Sequence, residues 1–312
     1  MAMIPFEYRT PKTLKEVHAH LKEFGPDAKL IAGGTALVIM MKQRLVRPSC
    51  LVSLRSVRGF NGIEVKDGGL RIGGLATHRD VETSPLVRRG LPLLAETFHH
   101  VATIRVRNMA TVGGGLAHAD PNQDPPPTLI ALGATVKATS ANGNRVIPLD
   151  EFFTDYYETV LKPDEIITEL FVPKLAAHSG GAYLKFLPRT ADDYATVSAA
   201  AVLTLDKSHK TISDVRIALG SVGTTPIRAT AAEALLRGQP VKAEGFAEAG
   251  EKAKEAVDPV SDFRGSAGYK KEMAGVFVRR ALEKALANIR QQARAKAAPR
   301  ATRKTTKRRR KR

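Results

Sequence analysis

The N-terminal part of the chain alternates between short apolar runs and apolar residues at helical spacing. In residues 14–24 the apolar positions recur every three or four residues. Thr13 precedes them and Glu16 follows it by three residues, which predicts a capping box at the start of a helix. Gly25-Pro26 predicts the end of that helix, and the run 29–32 predicts a buried strand.

The predicted strand leads into two glycines, Gly33-Gly34, and then into a helical pattern over residues 37–45. A strand, a glycine turn and a helix in this order expose backbone N–H groups to an anion. A second glycine-rich segment, TVGGG at 111–115, follows about one subdomain later. We interpret the two segments as glycine turns that act on one ligand.

The rest of the pattern predicts a mixture of strands and helices. Up to residue 173, strands are expected at 51–54, 62–66, 70–73, 166–172 and, before a turn at Asn142-Gly143, in the apolar run 128–138. Helices are expected from 74–80 and over 91–101. The small, polar segment 176–181 is typical of a linker. After it, the pattern predicts an antiparallel sheet from 182–187, 197–205 and 215–221, helices within 228–257 and a long amphipathic helix through 269–281.

The net charge of +18 is concentrated at the C-terminus. Residues 290–312 carry 12 Lys and Arg and no acidic residue, so residues 1–289 hold only +6. This segment has no aromatic residue, and we predict a disordered tail. It could bind nucleic acid, acidic lipid or an acidic protein patch without specificity; the alternative is a solvated tail with no partner.

Length and cysteine content narrow the class of protein. A chain of 312 residues is long enough for two domains. No apolar run predicts a membrane-spanning helix, and residues 1–14 lack the pattern of a secretory signal. Cys50 is the only cysteine, which excludes an iron–sulfur cluster held by this chain alone. We expect a cytoplasmic protein, with a peripheral position at the inner face of the membrane as the alternative.

The glycine segments suit a diphosphate, because a side chain would hold the phosphates away from the backbone. In the first segment the hydroxyl of Thr35 adds a donor. The spacing is not Gly-x-Gly-x-x-Gly, which disfavours a Rossmann nucleotide site. A tight structural turn is the alternative interpretation of such a glycine pair.

Two carboxylates, Asp120 and Asp124, follow the second glycine segment in a proline-rich loop. They could accept hydrogen bonds from ribose hydroxyls or an adenine amino group. Alternatively, they cap turns or helices before Pro121 and Pro125. The residues alone leave both interpretations open.

Five segments, taken together and in order, resemble the FAD-binding subunit of the xanthine dehydrogenase family of molybdenum hydroxylases. The resemblance is strongest to the medium subunit of carbon monoxide dehydrogenase-type enzymes and extends from Pro5 to about Leu286. The segments are AGGTALVIMMKQR, ATVGGGLAHADPNQDPPPTLIALGA, EFFTDYYETVLKPDEIITELFVP, KFLPRTADDYATVSAA and VDPVSDFRGSAGYKKEMAGVFVRRAL.

The resemblance implies an α+β fold. It consists of a two-lobed FAD-binding domain of the vanillyl-alcohol-oxidase (PCMH) type followed by a domain of antiparallel sheet and helices. The FAD-binding domain is expected over residues 1–176, with lobes at about 1–56 and 57–176. The C-terminal domain is expected over 177–289, and the basic tail over 290–312.

The resemblance also implies the cofactor site. Both glycine segments contact the FAD diphosphate in the family, Asp124 matches a carboxylate near the adenosine, Lys185 matches a flavin-contacting lysine, and Tyr194 packs on the isoalloxazine ring. A core aromatic is the alternative for Tyr194. The expected cofactor-binding residues are Ala32, Gly33, Gly34, Thr35, Ala36, Leu37, Thr111, Gly113, Gly114, Gly115, His118, Asp120, Asp124, Ile167, Lys185, Asp193 and Tyr194.

Three positions depart from the family pattern. Asp or Ser is frequent where Ala36 stands, Asn where Gly115 stands and an aliphatic residue where Pro125 stands. The first two departures remove polar side chains from the expected FAD site. We expect them to weaken FAD binding without moving the site.

The implied function is electron transfer within an oxidoreductase whose substrate is oxidised on a partner. The expected partners are a large molybdopterin subunit and a small subunit with two 2Fe–2S clusters, in a dimer of heterotrimers. FAD would pass the electrons to a quinone, oxygen or NAD; the sequence predicts neither acceptor nor substrate. No catalytic residue or metal ligand is predicted in this chain. The alternatives are a nucleic-acid-binding protein that uses the tail and a scaffold subunit that has lost flavin.

Overall fold

The first lobe is built on a small parallel sheet. The computed structural model describes residues 4–187, 189–190 and 192–297. The elements of this lobe are β1 (Glu7–Arg9), α1 (Leu14–Phe24), β2 (Ala28–Ile31), α2 (Leu37–Lys42) and β3 (Cys50–Ser53). The strand order is β1-β3-β2, with both pairings parallel. Thr13 caps α1 by accepting a hydrogen bond from the backbone N–H of Glu16, as the capping pattern predicts.

The second lobe packs six helices against an antiparallel sheet of order β4-β5-β10-β6-β7. Its helices are α3 (His78–Thr83), α4 (Pro85–Gly90), α5 (Pro92–His99), α6 (Ile104–Arg107), α7 (Val112–His118) and α8 (Pro125–Ala131). Its strands are β4 (Ile63–Lys66), β5 (Gly69–Gly73), β6 (Thr135–Ser140), β7 (Gly143–Pro148), β8 (Phe153–Asp155), β9 (Glu158–Thr159) and β10 (Ile166–Pro173).

The C-terminal domain covers one sheet with helices. The strands β11 (Ser179–Phe186), β12 (Val197–Leu205), β13 (Ile212–Gly220) and β14 (Ile227–Arg228) form an antiparallel sheet in that order. The helices are α9 (Thr230–Leu236), α10 (Ala243–Ala253) and α11 (Ala267–Ala297). This confirms the predicted α+β class and the predicted antiparallel sheet. In the described residues, no helix is both long enough and apolar enough to cross a bilayer.

Three local predictions were wrong. Residues 128–131 belong to α8, because three successive prolines start a helix there, and only the later part of the apolar run forms a strand. Residues 179–181 of the predicted linker already pair in β11. Residues 290–297 of the predicted tail continue α11, and the rest of that prediction lies outside the described residues.

The second glycine segment is the other correction, since it forms the first turn of a helix and not an open turn. Thr111 is the N-cap of α7, and its side chain accepts a hydrogen bond from the backbone N–H of Gly114. Three glycines give a helix little intrinsic stability. The cap and the packing of Val112 and Leu116 in the core therefore determine this conformation.

The core of the second lobe includes residues of the C-terminal sheet. Tyr183, Ala200, Val202 and Ala218 are buried in the same apolar cluster as the helices α5 and α8. A second cluster, on the other face of that sheet, packs against α11. Because one sheet faces two cores, the two domains are fixed against each other.

Candidate functional site

One cavity of about 670 Å³ lies where the two lobes and the C-terminal domain meet. Its volume is typical of sites that enclose a small molecule or cofactor. All but one of the predicted cofactor-binding residues line it: Ala32, Gly33, Gly34, Thr35, Ala36, Leu37, Thr111, Gly113, Gly114, Gly115, His118, Asp124, Ile167, Lys185, Asp193 and Tyr194. The exception is Asp120, which is buried next to the cavity.

Two glycines of the first segment are required by the fold itself. Gly34 has a φ of +72°, in the left-handed region that favours glycine. A Cβ on Gly33 would lie only 1.9 Å from the carbonyl oxygen of Met109, just ahead of the second glycine segment. The glycines therefore let the backbones of the two segments meet, as the structural-turn interpretation expects, and in doing so they form one wall of the cavity.

The second glycine segment packs equally closely. A Cβ on Gly113 would lie 2.8 Å from the carbonyl oxygen of Gly74 and 3.2 Å from that of Ile167. Ile167 stands at a bulge in β10, where the pairing with β6 shifts register. The glycine wall of the cavity is thus almost entirely backbone. Among the described residues no side chain caps the start of α2, although the backbone N–H of Val38 already donates to the carbonyl oxygen of Gly34 at 3.1 Å.

A second part of the cavity lining carries a buried ion pair. The Nζ atom of Lys185 lies 2.9 Å from Oδ2 of Asp124 and 3.1 Å from the carbonyl oxygen of His100. Tyr183 donates its hydroxyl hydrogen to Oδ1 of Asp124 at 2.5 Å. The side chains of Asp124 and Lys185 are 5% and 2% exposed. Burial raises the pKa of Asp124, and Lys185 and Tyr183 oppose this by stabilising the carboxylate.

The two carboxylates of the proline-rich loop have different roles. Asp120 accepts hydrogen bonds from the backbone and side-chain nitrogens of Asn122 at 2.9 and 3.2 Å, which is a local turn. Asp124 precedes α8 but makes no capping hydrogen bond. The capping alternative therefore fits Asp120 alone, whereas Asp124 is the counterion of Lys185.

Tyr194 lies at the rim of the cavity and not in a core, since it is 44% exposed. The guanidinium carbon of Arg264 lies 5.6 Å from the centre of its ring, within the range of a cation–π contact. Burial raises the pKa of Tyr194, and the neighbouring Asp120 raises it further. Tyr194 thus connects the second lobe, through Asp120, with the segment ahead of α11, through Arg264.

Several cavity residues were missed by sequence reasoning. They are polar groups to which no role was assigned, although all but His78 lie within the segments that carry the resemblance: His78, Gln123, Tyr157, Glu165 and Asp192. The Tyr157 ring packs against His118 at 5.1 Å between ring centres. Tyr183, which binds Asp124 from behind the wall, carried no signal apart from its place in a β-rich run.

Two family profiles match the chain and together span most of it. Residues 4–175 match the FAD binding domain in molybdopterin dehydrogenase. Residues 182–285 match the carbon monoxide dehydrogenase flavoprotein C-terminal domain.

Full-length relatives match over nearly their whole length. The medium chain of carbon monoxide dehydrogenase from Hydrogenophaga pseudoflava is 39% identical over 91% of this chain and 99% of its own. Subunit alpha of the 6-hydroxypseudooxynicotine dehydrogenase complex from Paenarthrobacter nicotinovorans is 37% identical over 90% of this chain and 94% of its own length. A solved structure of the Hydrogenophaga pseudoflava carbon monoxide dehydrogenase, in a form that lacks the Mo-pyranopterin moiety of its molybdenum cofactor, superposes with a TM-score of 0.89. It is 41% identical and covers 92% of this chain and 99% of that one.

Proposed function

The chain belongs to the FAD-binding medium subunits of the carbon monoxide dehydrogenase and xanthine dehydrogenase family of molybdenum hydroxylases, and on this basis we propose that it relays electrons through FAD. In this proposal a partner subunit delivers electrons from its 2Fe–2S clusters. FAD, held by the residues of this chain, would supply the group through which they reach an external acceptor. Substrate oxidation takes place on a third subunit that holds the molybdopterin.

The observation that carries the proposal is the contrast between the walls of one cavity. Backbone of the segments 32–37 and 111–115 forms one wall, where glycines let a diphosphate approach the main chain closely. The N–H groups of residues 112–115 already donate hydrogen bonds within the chain. A second part of the lining holds Lys185 and Asp124 and, at the rim, Tyr194. An elongated ligand with a diphosphate in its middle and an aromatic ring system at one end can contact both walls, and FAD has this structure.

FAD, when bound, supplies a ring that accepts electrons singly or in pairs. The residues of this chain bind and orient it. We assign the diphosphate to the glycine wall and the isoalloxazine ring to the region of Lys185 and Tyr194. There Asp124 balances the charge of the lysine, so we place it near the flavin and not near the adenosine as the resemblance implies, and the Tyr194 ring would exclude water from the flavin.

FAD binding is tested on the full chain alone. We expect the recombinant protein to be yellow and to release about one FAD per chain on denaturation, measured by absorbance and chromatography. A folded chain that takes up no FAD on reconstitution would refute the proposal and favour the scaffold alternative. A chain that lacks residues 298–312 is the control, since the cavity lies elsewhere and its FAD content should not change.

The electron path requires the partners. We propose a small iron–sulfur subunit and a large molybdopterin subunit, arranged as a dimer of heterotrimers. Co-expression of the three chains followed by mass measurement tests this composition. In the purified complex, reduction of the iron–sulfur clusters should precede flavin reduction in a stopped-flow experiment. Flavin that is reduced first would contradict the proposed order.

A further inference from the structure

His78 is a buried polar side chain that packing alone leaves unexplained. It is the first residue of α3, after the N-cap Thr77, and it is 5% exposed. Its Nδ1 atom is buried and has no partner with good hydrogen-bond geometry among the described residues, although the backbone of Thr111 lies close enough to the ring to oppose the lowering of its pKa. An unpaired polar group in the interior costs stability, so such groups often mark a functional site. His78 also lines the cavity.

The imidazole lies directly beside the glycine wall. Its Nε2 atom is 3.2 Å from the position that a Cβ on Gly115 would take. Oε1 of Gln123 lies 3.2 Å from that same Cβ position. Gln123 donates a hydrogen bond from its side chain to the carbonyl oxygen of Gly115 at 2.9 Å. Phe98 meets the imidazole edge to face at 5.0 Å and fixes its plane. Glycine at position 115 thus admits two polar side chains to this wall.

We propose that His78 is a further FAD-binding residue, whose Nε2 forms a hydrogen bond with the dinucleotide at the glycine wall. The inference rests on the proposed FAD site and adds a polar side chain to a wall that is mostly backbone. Burial lowers the pKa of His78 to about 4, so the ring is neutral at pH 7 and one ring nitrogen carries a hydrogen.

The test compares two substitutions of similar volume in the full chain. His78→Leu removes the polar atoms, whereas His78→Gln keeps an N–H donor at about the distance of Nε2. After FAD has been removed, the affinity for added FAD is measured by quenching of flavin fluorescence at pH 8. We expect about tenfold weaker binding for His78→Leu and binding within about threefold of the wild type for His78→Gln.

The stability of the FAD-free protein separates binding from packing. Since His78→Leu removes an unpaired buried nitrogen, the FAD-free variant should unfold at the same or a higher urea concentration than the wild type. If His78→Leu binds FAD as the wild type does, or if it fails to fold or loses stability without FAD, the inference is overturned. A wild-type chain that binds no FAD would instead refute the proposed function itself.

A double-mutant cycle checks the geometry. Gly115→Ala places a methyl group 3.2 Å from Nε2 of His78, which must then shift. If His78 contacts FAD, Gly115→Ala should weaken FAD binding several-fold in the wild type but much less in the His78→Leu background. Equal effects in both backgrounds would overturn the proposed contact.

Discussion

The two walls of the cavity differ in what specifies them. The glycine wall consists of backbone, and its shape is fixed by contacts such as that between Gly33 and Met109. The wall of Asp124 and Lys185 consists of side chains, and its charges are held by partners that lie far apart in the chain. A backbone wall tolerates almost no added atoms, whereas a side-chain wall tolerates changes of shape but not the loss of one charge.

The largest effect is expected from Gly33→Ala, because the added methyl group would overlap a backbone carbonyl group. The two glycine segments would have to separate, and we expect FAD affinity to fall at least about 100-fold and stability by several kcal/mol. FAD titration and urea unfolding measure the two losses. Gly62→Ala is the matched control, since a Cβ there has open space. Near-wild-type FAD binding by Gly33→Ala would show that the backbone of the glycine wall can rearrange without losing the site.

The second prediction tests the side-chain wall. Lys185→Met leaves the buried carboxylate of Asp124 without its cation, which should cost about 3–5 kcal/mol in urea unfolding of the FAD-free chain. The double variant Lys185→Met/Asp124→Leu should recover part of that loss. Lys252→Met is the control, because its pair with Glu255 is exposed and contributes less than about 1 kcal/mol. A single variant as stable as this control would mean that Asp124 is protonated and needs no counterion.

The third prediction concerns how the stability of the folded chain depends on pH through His78 at the glycine wall. The pKa of His78 is about 4 in the folded chain and 6.5 as an unperturbed group, so the unfolded chain binds the proton first as the pH falls. The folded state should lose roughly 3 kcal/mol between pH 6.5 and pH 4 through this residue. His78→Leu should lack that part of the loss. Parallel stability curves for the two proteins over this range would contradict the buried neutral imidazole.

The smallest effect is expected at the rim. Arg264→Met removes the cation over the Tyr194 ring, a contact that contributes about 0.5–1 kcal/mol when exposed. We expect FAD to dissociate about two- to fivefold faster, as measured by trapping released flavin, with little change in overall stability. Arg279→Met on α11 is the control and should leave the dissociation rate unchanged. No effect of Arg264→Met would show that Tyr194 is held by its other contacts alone.

The sequence predicted the glycine wall better than the side-chain wall, and the reason is physical. Glycines, caps and apolar spacing act over a few residues, so Thr13, Gly33-Gly34 and the antiparallel strands were predicted correctly. The conformation at Thr111 was not, because a cap and core packing outweighed the low helix propensity of three glycines. Prolines likewise turned part of a predicted strand into α8.

For the wall of Asp124 and Lys185, the sequence indicated which residues line the cavity but not how they interact. Family resemblance indicated Asp124 and Lys185, but nothing in the sequence indicated that they pair with each other or that Tyr183 completes the pair. Such contacts join residues about sixty positions apart through the packing of two domains. His78 was missed for the same reason, since its neighbours at the cavity come from three separate segments.

The pairing of Asp124 with Lys185 also bears on how the protein is made. The lysine is translated 61 residues after the aspartate, on the first strand of the C-terminal sheet. Until that strand leaves the ribosome, the FAD-binding lobe has a carboxylate without its cation and a core that lacks Tyr183. Maturation of the cofactor pocket is therefore tied to synthesis of the second domain, and a nascent chain stalled before it would hold an unfinished pocket.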